Sequence, residues 1–190
     1  MKKGIIWLAS YPKCGNTYVR IFLSHYIYLE KDKPDFSLLN KIPKFEHKET
    51  FAKVFPNIDL NTNFVYYKHC IDVQQKLISK FDQKNLIYKT HHFFGKINGY
   101  EFTNEQNTLM FIYLIRDPRE VAVSYASHSG ISIEEQIEMF IGKDKINRVG
   151  YETKVNWMLS YKSWKSFNSV PSIFIKYEDL INDPVKFFSS

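Results

Sequence analysis

The chain opens with a corner that leaves little choice of fold. Ile5-Ile6-Trp7-Leu8 is a short apolar run, Ala9 to Thr17 reads ASYPKCGNT, and a helix-like segment follows at once from Tyr18 to Tyr28. Lys, Gly and Thr set between an apolar run and an amphipathic one predict a strand, a tight loop and a helix N-terminus. The first amide groups of a helix have no intrahelical partner and lie at the positive end of its dipole, so such a corner is an anion site. Lys13 adds a mobile positive charge and Thr17 a hydroxyl. The loop is not a triphosphate-binding P-loop, which places its Lys directly after the last Gly of GxxxxGK[ST], because here Lys13 comes before Gly15. The plainer reading of the same residues is an ordinary strand-to-helix turn with a solvent-facing lysine.

Strand and helix alternate from there on. The first strand is expected over Gly4 to Ala9, and the first helix, from about Thr17, is expected to bury Phe22, Leu23, Tyr26 and Ile27. Residues 31–68 carry Pro34, Pro43 and Pro56 with mixed charge and read as a long irregular excursion. A helix from about Ile71 to Phe81 precedes a second strand, Asn85 to Thr90, which ends in Lys89-Thr90-His91-His92. Thr108 to Ile115 is almost wholly apolar, as a buried parallel strand should be. Asp117, Pro118 and Glu120 have the form of a helix cap with proline in the first turn, opening a helix to about His128, and Ser132 with Glu135 opens another. A longer aromatic helix is expected from Arg148 to Phe167, and a strand from Ser172 to Lys176. Asp183-Pro184 again resembles a helix start, yet only six residues follow, so the chain is expected to be C-terminally incomplete. Together these features predict one α/β domain, residues 1–190, with a central parallel sheet flanked by helices.

Composition removes several classes of function. The net charge of +6 favours anionic partners, but the basic residues are scattered, which argues against a nucleic-acid surface. Cys14 and Cys70 are the only cysteines and form no CxxC, so neither a disulfide scaffold nor a zinc site is expected. Cys14 sits where a helix N-terminus and a lysine would lower a thiol pKa. No stretch approaches the ~20 apolar residues of a membrane span, and the N-terminal apolar run is too short for a signal peptide; a cytoplasmic protein is expected. The 16 Phe and 13 Tyr are read first as core-formers. Phe36, Phe45, Phe51, Phe55, Phe64, Phe93 and Phe94 fall in the loops expected to line a substrate side, which leans toward a partner with an apolar or aromatic part.

In a parallel α/β sheet, ligands bind outside the carboxyl ends of the strands. Those ends here carry Lys13 with Gly15, Asn16 and Thr17; Lys89 with His91; Arg116 with Ser124 farther along the next helix; and Tyr177. Arg116 directly after a buried strand is costly unless it meets an anion, and with the first loop it implies two anion sites, as a nucleotide with two separate phosphates would need. SYPKCGNTYVR, YKTHH, LIRDPREVAVSY and KYEDL followed by NDP resemble, in this order, four motifs of the cytosolic-type sulfotransferases. The resemblance implies a nucleotide-kinase-like, P-loop-like fold and 3'-phosphoadenosine 5'-phosphosulfate (PAPS) as sulfuryl donor, with no metal required.

Carried over by position, the resemblance makes Lys13 the lysine at the leaving phosphate, His91 the general base and Lys89 the lysine near the transferring group. Gly15, Asn16 and Thr17 become the cradle of the 5' end, with Cys14 and Tyr18 beside them in the donor site, Arg116 and Ser124 the 3'-phosphate pair, and Tyr177 a neighbour of adenine. His92 competes with His91, since adjacent side chains at a strand end point opposite ways. Cys14 stands where the family has Ser, Tyr18 where it has Trp, and nothing after Tyr177 matches the family's Arg-Lys-Gly segment. The acceptor is expected to be a small molecule, a glycan or a lipid, and a bare apolar sheet face would favour a homo-oligomer. Two other readings compete: a nucleotide-binding fragment without turnover, and a small-molecule kinase, which the loop order disfavours.

Overall fold

A computed structural model describes residues 3–29, 33, 35–57, 65–80, 86–141, 147–149 and 152–184. In chain order the elements are β1 (Ile5–Ser10), α1 (Asn16–Tyr28), a 3-10 helix (Phe36–Lys41), α2 (Lys48–Ala52), α3 (Val65–Lys80), β2 (Leu86–Thr90), β3 (Lys96–Ile97), β4 (Tyr100–Glu101), β5 (Thr108–Ile115), α4 (Pro118–Ser129), α5 (Ile133–Ile141), β6 (Asn147–Val149), β7 (Glu152–Lys154), α6 (Trp157–Lys165), β8 (Ser172–Lys176) and α7 (Tyr177–Asn182). Four strands form a parallel sheet in the order β2-β1-β5-β8. The chain goes from β1 to β2 on one side and then returns past β1 to β5 on the other. The crossover reverses between β1 and β5, and a cleft opens outside the carboxyl ends of such a pair.

Period-two alternation along the strands sends side chains to two cores. Ile5, Trp7 and Ala9 of β1 join Phe111 and Tyr113 of β5 in one, with α3 and α6 packed over them. Leu8 of β1 and Leu114 of β5 face the other way, against Val19, Val121, Tyr125 and Leu180. Trp7 is fully buried, lies edge-on to Phe45 at 5.0 Å between ring centroids, and donates its indole N–H to Thr108 Oγ at 3.2 Å. Phe45, Phe51, Phe102 and Phe111 are completely buried as well, so the high phenylalanine content builds the core.

Several expected elements differ from the observed ones. α1 buries Asn16, Val19 and Ser24, whereas Tyr26 is 80% exposed and Ile27 also faces outward. Periodicity alone does not say which stripe of a half-apolar helix meets the sheet. The 31–68 segment is not wholly irregular, since it holds the 3-10 helix, α2 and the first turn of α3. Arg20 of α1 clamps this segment, donating to the carbonyls of Ile42 (2.6 Å) and Leu39 (2.8 Å). The helix expected over Arg148 to Phe167 is instead the β6–β7 hairpin followed by α6, which starts at an Asn156 cap. Tyr177, expected at the end of β8, begins the short helix α7 directly after that strand. Phe81, Phe64 and the segment after Pro184 lie outside the described residues.

The strand Thr108–Ile115, the Asp117 cap with Pro118 after it, and the reciprocal Ser132–Glu135 capping bonds all occur as the sequence predicts. No helix among the described residues is long and apolar enough to cross a membrane. Trp7→Ala removes the largest fully buried side chain of β1 together with its hydrogen bond. The substitution should lower stability by about 3–5 kcal/mol, read as a reduced urea midpoint with an unchanged denaturant slope.

Candidate functional site

One cleft of about 830 Å³ opens at the carboxyl ends of β1, β2 and β5. The loop between β1 and α1 forms its floor. Lys13 and Gly15 both take left-handed backbone conformations (φ 68° and 84°), and α1 starts at Gly15 without a side-chain cap. A side chain at position 15 would collide with the Tyr177 ring, whose Cδ2 lies 2.3 Å from where its Cβ would stand. Only glycine therefore allows the loop to turn beneath that ring. The first-turn residues of α1, Asn16, Thr17 and Tyr18, line the cleft together with Lys13, and no side chain caps the helix N-terminus, a combination suited to an anion.

Arg116 completes the floor from β5. It donates to the Lys13 carbonyl at 3.1 Å, stands over the Tyr177 ring at 4.7 Å, and approaches Glu120 at 3.5 Å. Asp117 is held by Arg119 instead, at 2.5 Å, and Glu178 accepts the Asp117 amide at 2.8 Å. Arg116 thus braces the loop and still lines the cleft. Ser124 of α4 lines the same wall one turn before His128.

The β2 end supplies Lys89 and His91, while His92 turns away. His91 is half-buried and its Nδ1 lies 2.8 Å from the Ser10 carbonyl oxygen. A carbonyl can only accept, so Nδ1 carries the proton and Nε2 is left as the ring's proton acceptor. Burial and the charge of Lys89 hold the His91 pKa down to about 3, against the opposing field of Glu46. His92 is fully enclosed: Tyr67 Oη lies 3.2 Å from its Nδ1, its carbonyl accepts the Trp164 indole N–H at 2.8 Å, and burial holds its pKa to about 4. The choice between the two histidines is made by strand direction, with His91 in the cleft and His92 in the core.

Of the expected site residues, Lys13, Gly15, Asn16, Thr17, Tyr18, Lys89, His91, Arg116, Ser124 and Tyr177 all line this cleft. Asn16 is nonetheless buried, and its side-chain amide ties α1 to β1 through the Leu8 carbonyl and Ser10 Oγ, both at 3.1 Å. Cys14 departs from expectation. Its thiol is buried, turned toward the Pro12 carbonyl, and pushed up to about 12 by burial, which outweighs the Arg116 contributions that lower it. It is unreactive, and its side chain does not reach the cleft.

Among the described residues, the phenylalanines expected on the substrate side do not line the cleft either. Phe45, Phe51 and Phe93 are buried in the core, Phe94 stacks on Phe167 at 4.0 Å, Phe55 lies under Lys76, and Phe36 is exposed elsewhere. Beside His91 the cleft presents Lys44 instead, paired with Lys89 by a parallel bridge, and farther along α4 it presents His128. Lys44 lies in the segment that reads as irregular, and no local pattern marks it.

The profile of the sulfotransferase domain matches residues 3–187, and the chain belongs to that family. A retinol dehydratase solved in complex with retinol and PAP (adenosine 3',5'-bisphosphate) shares the fold, with a TM-score of 0.55 at 17% identity over 100% of this chain and 59% of that one. Mouse sulfotransferase SULT7A1, complexed with PAP, aligns with a TM-score of 0.47 at 17% identity over 100% of this chain and 57% of its own. The chain therefore spans less than two thirds of the length of either structure. No curated protein matches the sequence significantly.

The buried neutral histidines predict acid sensitivity. Both pKa values lie below the free-imidazole value, so the unfolded chain binds protons first as pH falls. Their stabilising contribution is complete above about pH 6.5 and is lost on the way down toward 4 and 3. Urea unfolding at pH 7 and pH 5 should show a loss of about 2 kcal/mol per histidine. In His92→Gln the loss should be about half as large.

Proposed function

We propose that the chain is a PAPS-dependent sulfotransferase domain in which His91 is the general base. The observation that carries this reading is the convergence on one cleft of an uncapped helix N-terminus with Lys13, of Arg116 with Ser124, and of a neutral histidine whose Nδ1–H is committed to a carbonyl. Lys13 with the helix N-terminus and Arg116 with Ser124 supply two sets of anion-binding groups to one cleft, which supports a donor carrying more than one phosphate. PAPS supplies the sulfuryl group and its leaving phosphate when bound.

The remaining tasks fall to residues of this chain. His91 Nε2 accepts the proton of the acceptor hydroxyl as the new S–O bond forms on the far side of sulfur from the leaving phosphate. The old S–O bond breaks with its electron pair going to that phosphate. Lys13 and the first-turn amides of α1 neutralise the charge gathering there, and Lys89 lies beside the transferring group. Arg116 and Ser124 hold the 3'-phosphate, while Tyr18 and Tyr177 flank the nucleoside. A polyanionic donor also offsets the field of Lys13, Lys44 and Lys89, which raises the basicity of His91 toward the range where a base is useful. The acceptor is a hydroxyl- or amine-bearing small molecule, glycan or lipid.

The 3'-phosphate assignment is tested by calorimetry. PAP should bind about tenfold to a hundredfold more tightly than adenosine 5'-monophosphate, the worth of one or two charge-assisted contacts. Equal affinity would remove the assignment of Arg116 and Ser124.

The base is tested with labelled PAPS and a panel of phenol, glycan and lipid acceptors. His91→Ala should leave PAP affinity within about twofold and reduce turnover by about 10²- to 10⁴-fold. Undiminished transfer by this variant would exclude His91 as the base.

A further inference from the structure

Glu46 belongs to none of the motifs that built the site, yet its carboxylate lies directly behind the histidine pair. Its side chain has no solvent exposure. Residues 43–45 run alongside β2, with Lys89 N–H donating to the Pro43 carbonyl and Phe45 N–H to the Lys89 carbonyl, both at 2.9 Å, and this pairing delivers Glu46 to the strand end. Beyond the last β1–β2 pair, Ala9–Thr90, come the amide of His91, on the side of the 43–45 segment like that of Lys89, and the amide of His92 on the other side. Glu46 Oε1 accepts the first of them, His91 N–H, at 2.8 Å, and also the Thr90 hydroxyl. Thr90 Oγ in turn accepts His92 N–H at 3.0 Å. The His91 peptide is thus held from behind by a carboxylate, while the His91 ring is held separately by the Ser10 carbonyl at Nδ1.

A neutral amide would accept the same two hydrogen bonds without the cost of burying a charge, which is several kcal/mol for an unpaired carboxylate. His92 Nε2 stands 4.0 Å away on an imidazole held neutral, and neither that nitrogen nor Glu46 Oε2 has a hydrogen-bond partner. Tyr66, Tyr67 and Cys70 close the remaining sides. Burial alone would raise the Glu46 carboxyl, but the charge of Lys89 and the Thr90 hydroxyl, joined by the histidines once they are protonated, hold it below the ordinary carboxylate value. Of the charged groups acting on His91, Lys89 and Lys44 oppose its protonation and Glu46 favours it.

We propose that Glu46 is the positioning residue of the base: its carboxylate fixes the backbone on which His91 is mounted, and its charge stabilises the imidazolium formed when His91 takes the acceptor proton. The inference rests on the reading of His91 as general base. Glu46 touches neither donor nor acceptor and acts only through His91.

Glu46→Gln keeps an acceptor oxygen for Thr90 and His91 N–H and removes the charge. Two measurements test it. In nitrogen-15 spectra of the histidine rings with saturating PAP, the proton affinity of His91 should fall about tenfold or more in the variant. In transfer from PAPS, turnover should fall about tenfold to a hundredfold with an aliphatic alcohol, whose proton must be removed, and stay within about threefold with a nitrophenol already ionised at the assay pH. The PAPS KM should not change.

Equal losses on both acceptors with an unchanged His91 proton affinity would overturn the proposal, leaving Glu46 a backbone tether only; so would no loss at all. If the wild-type chain transfers to neither acceptor but the proton affinity still falls, the sulfotransferase reading fails while the electrostatic tie stands. Should Glu46→Gln fail to fold, Glu46→Asp keeps the charge and disturbs the tether. The proposal requires its ratio of alcohol to nitrophenol turnover to stay within about threefold of wild type, and a fall beyond that would overturn it.

Discussion

Parallel pairing of β1 with both β2 and β5 is the constraint on which the site depends. It ends three strands at one edge of the sheet and reverses the crossover between β1 and β5. The chain leaving β1 must then turn sharply beneath whatever follows β5 and β8. It does so through two left-handed residues, one of them a glycine with no room for a Cβ against Tyr177. Arg116 closes the arrangement by bonding the carbonyl of the strained Lys13. Loop conformation, helix N-terminus and the second basic group are therefore one mechanical unit, and a change at Arg116 or Tyr177 is felt at Lys13.

The electrostatics of the cleft follow from this crowding. Lys13, Lys44, Lys89 and Arg116 share one pocket lined by no carboxylate among the described residues, which favours a polyanionic ligand, and burial together with Lys89 and Lys44 depresses the basicity of His91. The balancing negative charge is not on the surface but behind the strand end, in Glu46. A carboxylate in the open cleft would compete with a ligand for the lysines, whereas one buried behind the peptide plane acts on His91 through a medium of low dielectric. The same burial makes the histidine pair a source of acid instability. That cost is tolerable only because both rings are neutral near pH 7.

Family membership places this chain among sulfotransferase domains, it shares the fold of the retinol dehydratase, and the described residues form a strand-end cleft. The aromatic residues do different work than their number suggests. The phenylalanines fill the core, while Tyr18, Tyr125 and Tyr177 line the cleft together with Lys44 and Lys89.

The sequence by itself determined the local elements whose signals are local: the apolar β5, the Asp117 and Ser132 caps, the loop from Lys13 to Thr17, and the strand ends that carry Lys89, His91 and Arg116. These are readable because capping, turn chemistry and strand periodicity depend on neighbours a few residues away. Tertiary structure decided what depends on residues far apart in the chain. It turned His91 to the cleft and His92 to the core, buried the thiol of Cys14, exposed Tyr26 where the helix period allowed either face, and broke the expected 148–167 helix into a hairpin and α6. It also brought Lys44 and Glu46 to the end of β2 from a segment with no motif of its own. A buried carboxylate or a lysine facing a cleft leaves no pattern in the residues beside it; its environment is made by β2, α3 and the Ser10 carbonyl, and only the folded chain brings them together.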